Sequence, residues 1–116
     1  MSNTTTKILI VEDNPLIAAD LEATVEDMGY WVVGPALTLE DGLELATEDE
    51  IDFALLDYDL GDGNDSAPIA EMLTSRGLKF AFVTGTDPAV VRAAFSKAVV
   101  LSKPVDEDAL ERVMPA

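Results

Sequence analysis

Apolar residues along this chain fall into two alternating textures. Short, nearly continuous apolar runs occur at Lys7–Val11, Trp31–Val33, Asp52–Leu56, Lys79–Val83 and Ala98–Leu101. Runs of this length, rich in β-branched or aromatic residues, suit strands covered on both faces of a sheet. Longer stretches with helical spacing lie between them. Asn14 is placed to cap a helix with Pro15 at its first position, Ile17, Leu21, Thr24, Val25 and Met28 as its inner stripe, and Gly29 as its stop. Thr38 opens a second helix carrying Leu39, Leu43 and Ala46, and a third runs from Ala67 to Arg76 before Gly77. Asp87-Pro88 repeats the cap-then-proline pattern for a short fourth, and Asp106 to Val113 forms a fifth. Five βα units predict an α/β fold, a doubly wound five-stranded parallel sheet with helices on both faces, because right-handed crossovers allow little else.

In such sheets ligands bind beyond the carboxyl ends of the strands. Here the first strand runs into Glu12-Asp13, the third into Asp57 followed by Tyr58-Asp59, the fourth into Thr84-Gly85 and the fifth into Ser102-Lys103-Pro104. Taken singly these residues are unremarkable: an Asp closing a strand is usually a turn or cap residue, and a Lys before Pro is ordinarily solvated. Together they bring three carboxylates, a hydroxyl and an ammonium to one edge of the sheet, which packing does not require. Clustered carboxylates resist joint ionisation unless a cation intervenes. An all-oxygen donor set without His or Cys suits a hard ion, Mg²⁺ rather than Zn²⁺. Asp62 and Asp65 read as ordinary loop residues and receive no role.

Composition narrows the picture from the other side. A chain of 116 residues, 48% hydrophobic, is the size of one domain, taken as residues 1–116, with enough apolar material for a core. Seven basic against 23 acidic residues leave a formal charge of −16, which repels phosphate backbones and anionic lipid. Nucleic acid and membrane are therefore not expected as partners. The absence of Cys and His excludes disulfides, thiolate or imidazole metal sites, and triads built on histidine. The polar start, Met1 to Thr6, is unlike a signal peptide, and no apolar run reaches membrane-spanning length. A cytoplasmic location is the expectation that follows.

These motifs resemble those of bacterial two-component response-regulator receiver domains, of the CheY-like kind. The resemblance rests on ILIVEDNP at Ile8–Pro15, LLD at Leu55–Asp57, TG at Thr84–Gly85 and KP at Lys103–Pro104. Asp13, Asp57, Thr84 and Lys103 are spaced 44, 27 and 19 residues apart. The resemblance implies the flavodoxin/CheY-like strand order 2-1-3-4-5 and a role for each position. Asp57 is implied as the phosphoacceptor, attacking a phosphohistidine. Asp13 and Asp57, with the main-chain carbonyl of Asp59, are implied as the Mg²⁺ ligands, with Glu12 acting through water. Lys103 and Thr84 are implied to bind the phosphoryl oxygens, and the bond before Pro104 to be cis. Such roles accord with phosphoryl transfer, which depends on positioning and charge neutralisation more than on acid–base chemistry.

Two departures stand out. Receivers usually carry Tyr or Phe three residues before the Lys, where this chain has Val100. The stretch from Thr84 to Lys103 is also shorter than usual, so the fourth helix is expected to be reduced. Phe80-Ala81-Phe82-Val83-Thr84-Gly85-Thr86 looks like the FATGUY branch of receivers, which implies HWE-type or related sensor histidine kinases as partners, or a phosphotransfer protein. With no output domain after the fifth helix, the expected output is a phosphorylation-dependent protein contact or a phosphate sink, not catalysis. Two other readings compete. Asp57-Tyr58-Asp59 mimics the DxD of haloacid-dehalogenase-like aspartyl-phosphate phosphatases, but that motif ends their first strand and here ends the third. A pseudo-receiver that only binds protein is opposed by the complete set Glu12, Asp13, Asp57, Thr84 and Lys103.

Overall fold

The computed structural model describes residues 5–48 and 50–115. In chain order it contains β1 (Lys7–Val11), α1 (Pro15–Asp27), β2 (Trp31–Ala36), α2 (Leu39–Glu48), β3 (Phe53–Leu56), β4 (Asp59–Gly61) and β5 (Asn64–Asp65). There follow α3 (Ala67–Ser75), β6 (Lys79–Thr84), α4 (Pro88–Ala94), β7 (Val100–Ser102) and α5 (Glu107–Val113). Five strands form one parallel sheet in the order β2-β1-β3-β6-β7, the doubly wound arrangement read from the alternation of runs. The central strands are buried on both faces, which explains why β1 and β3 carry almost no polar residue. One face packs Leu9, Val11, Leu56, Ile69, Leu73 and Phe82 beneath α2, α3 and α4. The other packs Ile8, Ile10, Leu21, Val25, Leu55 and Leu110 beneath α1 and α5. Each such aliphatic side chain contributes about 1.5–3 kcal/mol when fully buried.

The structure differs from the expected pattern in four places. In α1 the core-facing residues are Ala18, Leu21 and Val25, while Ile17 is 38% exposed and turns to the rim of the sheet. The second strand does not stop at Val33: it continues through Gly34-Pro35 to Ala36, whose carbonyl accepts the Glu12 N–H at 2.9 Å. Gly34 permits this with φ +94°, where a Cβ would stand 2.7 Å from Ala36 N and 3.1 Å from Ile10 O. The last strand is Val100–Ser102, later than Ala98–Leu101, because the chain leaves α4 through a short irregular segment before it pairs with β6. An antiparallel hairpin of β4 and β5, with Asp62 at its tip (φ 53°), stands where a plain loop was expected.

Helix α4 is reduced to seven residues. Asp87 caps it by accepting the Ala89 N–H at 2.9 Å, and Val91 is the one buried residue it contributes. On the same face, α2 lies so close to the sheet that a Cβ on Gly42 would meet Ile69 Cδ1 at 2.6 Å and both Val11 methyls at 3.3 Å. Gly42→Ala should gain about 1 kcal/mol of helix propensity but lose about 1–3 kcal/mol to overpacking. Overpacking wins because Ile69 and Val11 are themselves fully enclosed. The expected result is a thermal midpoint several degrees lower, readable by calorimetry; an unchanged or higher midpoint would show that α2 can lift off the sheet at no cost.

Candidate phosphoryl-accepting site

Each strand end delivers its residue for a local reason. The N–H of Asp57 donates to Val11 O at 2.9 Å, continuing the β1–β3 ladder one step beyond the strand and fixing Asp57 beside Glu12. The N–H of Lys103 donates to Thr84 O at 3.1 Å, which carries the β6–β7 ladder past Ser102 in the same way. The Lys103–Pro104 bond is cis, as is Gly34–Pro35. Asn14 accepts the Leu16 and Ile17 N–H groups, so α1 starts immediately after Asp13 and holds that carboxylate at the edge.

The side chains converge on Asp57. Lys103 Nζ donates to Asp57 Oδ2 at 2.7 Å and to Glu12 Oε1 at 2.5 Å. Thr84 Oγ1 donates to the other oxygen, Asp57 Oδ1, at 2.7 Å. Oδ1 also accepts the Asp59 N–H at 3.3 Å. Glu12 and Asp57 are 2% and 6% exposed, Thr84 1%, whereas Asp13 is exposed. Oxygen atoms of Glu12, Asp13 and Asp57 lie within 4.8 Å of one another. Burial raises the pKa of Glu12, against the lowering effect of its bonds with Lys103 and with the Asn14 N–H. Burial pulls the Lys103 ammonium down, but its hydrogen bonds to Asp57 and Glu12 outweigh this and leave it raised. Lys103 is thus firmly cationic at neutral pH, one positive charge among three carboxyl groups.

These groups line an open cleft of about 570 Å³, together with Asn14, Ile17, Asp59, Gly61, Gly85 and Thr86. All five residues singled out at strand ends, Glu12, Asp13, Asp57, Thr84 and Lys103, are in it. One oxygen of the Asp59 side chain turns back to accept the Gly61 N–H at 2.9 Å. Asp62 sits on the hairpin tip and Asp65 Oδ1 accepts the Ala67 N–H, so neither enters. Val100 lies away from the cleft, paired with Phe82 across β6–β7 and packed on the inner cluster. Sequence reasoning missed Ile17 and Thr86; Thr86 donates its N–H to Thr84 Oγ1 at 3.2 Å. The signal for Ile17 was its place four residues after Asp13, one helical turn from the cluster.

Residues 8–114 match the response regulator receiver domain family. The chain belongs to that family, and so to the receiver domains of two-component signalling. Over 81 residues it is 38% identical to the phyllosphere-induced regulator PhyR of Methylorubrum extorquens, covering 68% of this chain but 30% of that protein. It therefore spans about a third of that relative's length. The solution structure of SdrG from Sphingomonas melonis Fr1 is 39% identical with a TM-score of 0.81, covering 93% of this chain and 92% of that one. The BeF3-activated conformation of SdrG, attributed to Pseudomonas melonis Fr1, is 38% identical with a TM-score of 0.77, covering 95% and 93%. Receivers are signalling modules, so the family supports a carrier of signal in place of a catalyst. Among the described residues no helix is long and apolar enough to cross a membrane.

Proposed function

We propose that this receiver takes a phosphoryl group onto Asp57 from a phosphohistidine of a sensor histidine kinase or phosphotransfer protein. One observation carries the reading: the two oxygens of a nearly buried Asp57 are each held at 2.7 Å, one by an ammonium and one by a hydroxyl. In the transfer, one Asp57 oxygen forms a bond to phosphorus while the P–N bond breaks and its electron pair stays on the imidazole nitrogen. Lys103 and Thr84 are placed to turn from the carboxylate to the new phosphoryl oxygens, neutralising and orienting them. The donor set fits Mg²⁺: three hard carboxylates within 4.8 Å and no nitrogen or sulfur ligand. Asp13 and Asp57, with the Asp59 carbonyl and Glu12 through water, would hold the ion, which when bound supplies charge neutralisation at the phosphoryl group. That SdrG has a BeF3-activated conformation supports using beryllofluoride, a phosphoryl mimic, as the probe. Fluorine NMR should show a bound beryllofluoride signal that requires Mg²⁺; no signal at any metal concentration would favour a pseudo-receiver.

The donor's approach is supported by the surface beside the cleft. A groove of about 460 Å³, lined by Leu16, Ile17, Leu21, Val83, Pro104 and Val105 with Asp20 and Lys103 as its charged members, adjoins the cleft, and Leu16 is 82% exposed. An apolar pair flanking the acceptor is suited to seat a kinase or phosphotransfer helix, of the HWE type implied by the Phe80–Thr86 segment. Leu16→Lys should slow transfer from a responsive kinase about tenfold, roughly 1.4 kcal/mol, as loss of an interface anchor does. Loading with a small-molecule phosphodonor should stay as fast as in the unaltered protein; equal slowing of both would place Leu16 in the chemistry and not in docking. The proposed output is a phosphorylation-dependent protein contact or a phosphate sink in the cytoplasm.

A further inference from the structure

Four aromatic rings form a continuous chain from the acceptor to the end of α4. Tyr58, the residue after Asp57, meets Phe82 edge-on with centroids 5.6 Å apart and planes at 77°. Phe82 meets Phe95 at 5.6 Å and 49°, and Phe80 at 5.5 Å and 82°. Phe80 and Phe95 close the far end at 6.5 Å and 89°. Phe82 is fully buried and stands two residues before Thr84 on β6, so the two side chains share one face of the strand. Phe95 is the C-cap of α4, half-buried, and its carbonyl accepts the Ala98 N–H at 3.0 Å in the turn that leads to β7. The rings Phe80 and Phe95 line a surface groove of about 470 Å³ with Lys79, Lys97 and Val99. That groove is open because α4 ends after two turns and leaves 96–99 without helical cover.

We infer that Tyr58, Phe82 and Phe95 couple the phosphoryl state of Asp57 to the end of α4 and the groove beside it, a role nothing at Val100 can fill. The inference rests on the acceptor reading above. The physical argument is contact and direction. A Tyr58–Phe82–Phe95 path touches Asp57 through the peptide bond at one end and the α4 C-cap at the other. Thr84, bonded to Asp57 Oδ1 at 2.7 Å, leaves that oxygen when a phosphoryl group claims its hydroxyl, and a shift of Thr84 reaches Phe82, two residues back on the same face of β6, and through it Tyr58. Packed rings respond to such a change by repacking between discrete arrangements and not by continuous yielding. At the far end the path meets little resistance, since α4 buries Val91 alone and, apart from the half-buried Pro88, its remaining residues are exposed.

The experiment loads the full chain with Mg²⁺ and beryllofluoride. Fluorine NMR reports occupancy of the site, and backbone amide shifts of Val91–Val99 report the far end. In the unaltered protein occupancy should shift these amides. In Tyr58→Leu, which keeps apolar bulk but removes the ring, and in Phe95→Leu, which acts from the far end, the bound fluorine signal should persist while the Val91–Val99 shifts are lost. Tyr58→Phe should restore them, because the ring and not the hydroxyl is the contact. Should one leucine variant fail to fold, the other carries the same test from the opposite end. Undiminished shifts in a folded leucine variant overturn the coupling. A bound signal in the unaltered protein with Val91–Val99 unmoved overturns it too and leaves the acceptor reading standing, whereas no bound signal at all removes both.

Discussion

Asp57→Asn protein is expected to take up no phosphoryl group from any donor, a complete loss and the largest effect this structure predicts. The amide removes the anionic oxygen proposed to attack phosphorus while changing almost nothing else in shape. Thr84 and the Asp59 N–H can still reach the retained carbonyl oxygen, the acceptor of both in the native protein. The cost to folding should be small, and the competing terms say why. Breaking a fully buried ion pair costs about 3–5 kcal/mol because it strands a charge. Lys103 is not stranded: its side chain is 19% exposed and it keeps Glu12 at 2.5 Å. Removing one of three close carboxylates also relieves repulsion, so the net change should stay within about 1 kcal/mol. Mass spectrometry after treatment with a phosphodonor and Mg²⁺ should show one added phosphoryl group in the unaltered protein and in Asp62→Asn, which lies on the hairpin tip. Undiminished labelling of Asp57→Asn would falsify the assignment.

Much of this could be read before the structure, and the exceptions have physical causes. The five-residue run Lys7–Val11 and the run ending at Leu56 were legible because a strand buried on both faces leaves no room for polar residues. The convergence of Glu12, Asp13, Asp57, Thr84 and Lys103 was legible because parallel βα topology forces strand ends to one edge. Ile17 was misplaced onto the inner stripe of α1 because periodicity weighs bulk. At the close approach of helix to sheet the small Ala18 takes the core position, and Ile17 is left at the cleft. The second strand was expected over Trp31–Val33, where the apolar run stops at Gly34-Pro35, yet it continues to Ala36, whose carbonyl accepts the Glu12 N–H. The β4–β5 hairpin was invisible: its strands are three and two residues long, below any periodicity. The ring chain was equally hidden, since Tyr58, Phe82 and Phe95 come from three separate segments, brought together by the pairing of β3 with β6 and by the seat of α4 beside them.

Removing the Asp13 carboxylate should separate metal binding from stability in opposite directions. Among the described residues the Asp13 side chain accepts no hydrogen bond and forms no ion pair, although its carboxylate lies within 4.8 Å of those of Glu12 and Asp57. In the metal-free protein it therefore adds repulsion to a cluster whose cation, Lys103, is already bonded to Glu12 and Asp57. Two like charges at that separation repel by about 1 kcal/mol in a water-like medium and by more where the surroundings are less polar. Asp13 is exposed, so the lower figure applies, and Asp13→Asn should stabilise the metal-free protein by roughly 0.5–1 kcal/mol, a rise of a few degrees in Tm. The gain should shrink as salt is added, because exposed charges are screened within about 10 Å at 0.1 M ionic strength. On the proposed metal site Mg²⁺ would see the opposite: one of its proposed carboxylate ligands becomes a neutral amide, and affinity should fall at least about tenfold, or 1.4 kcal/mol. Phosphoryl uptake should weaken in parallel. Thermal melts of both proteins across a magnesium titration read the two effects at once: the variant should melt higher without the ion, and added ion should raise its midpoint less. A variant that melts lower in the absence of metal would mean that Asp13 holds the start of α1 in place, as a structural residue and not a ligand.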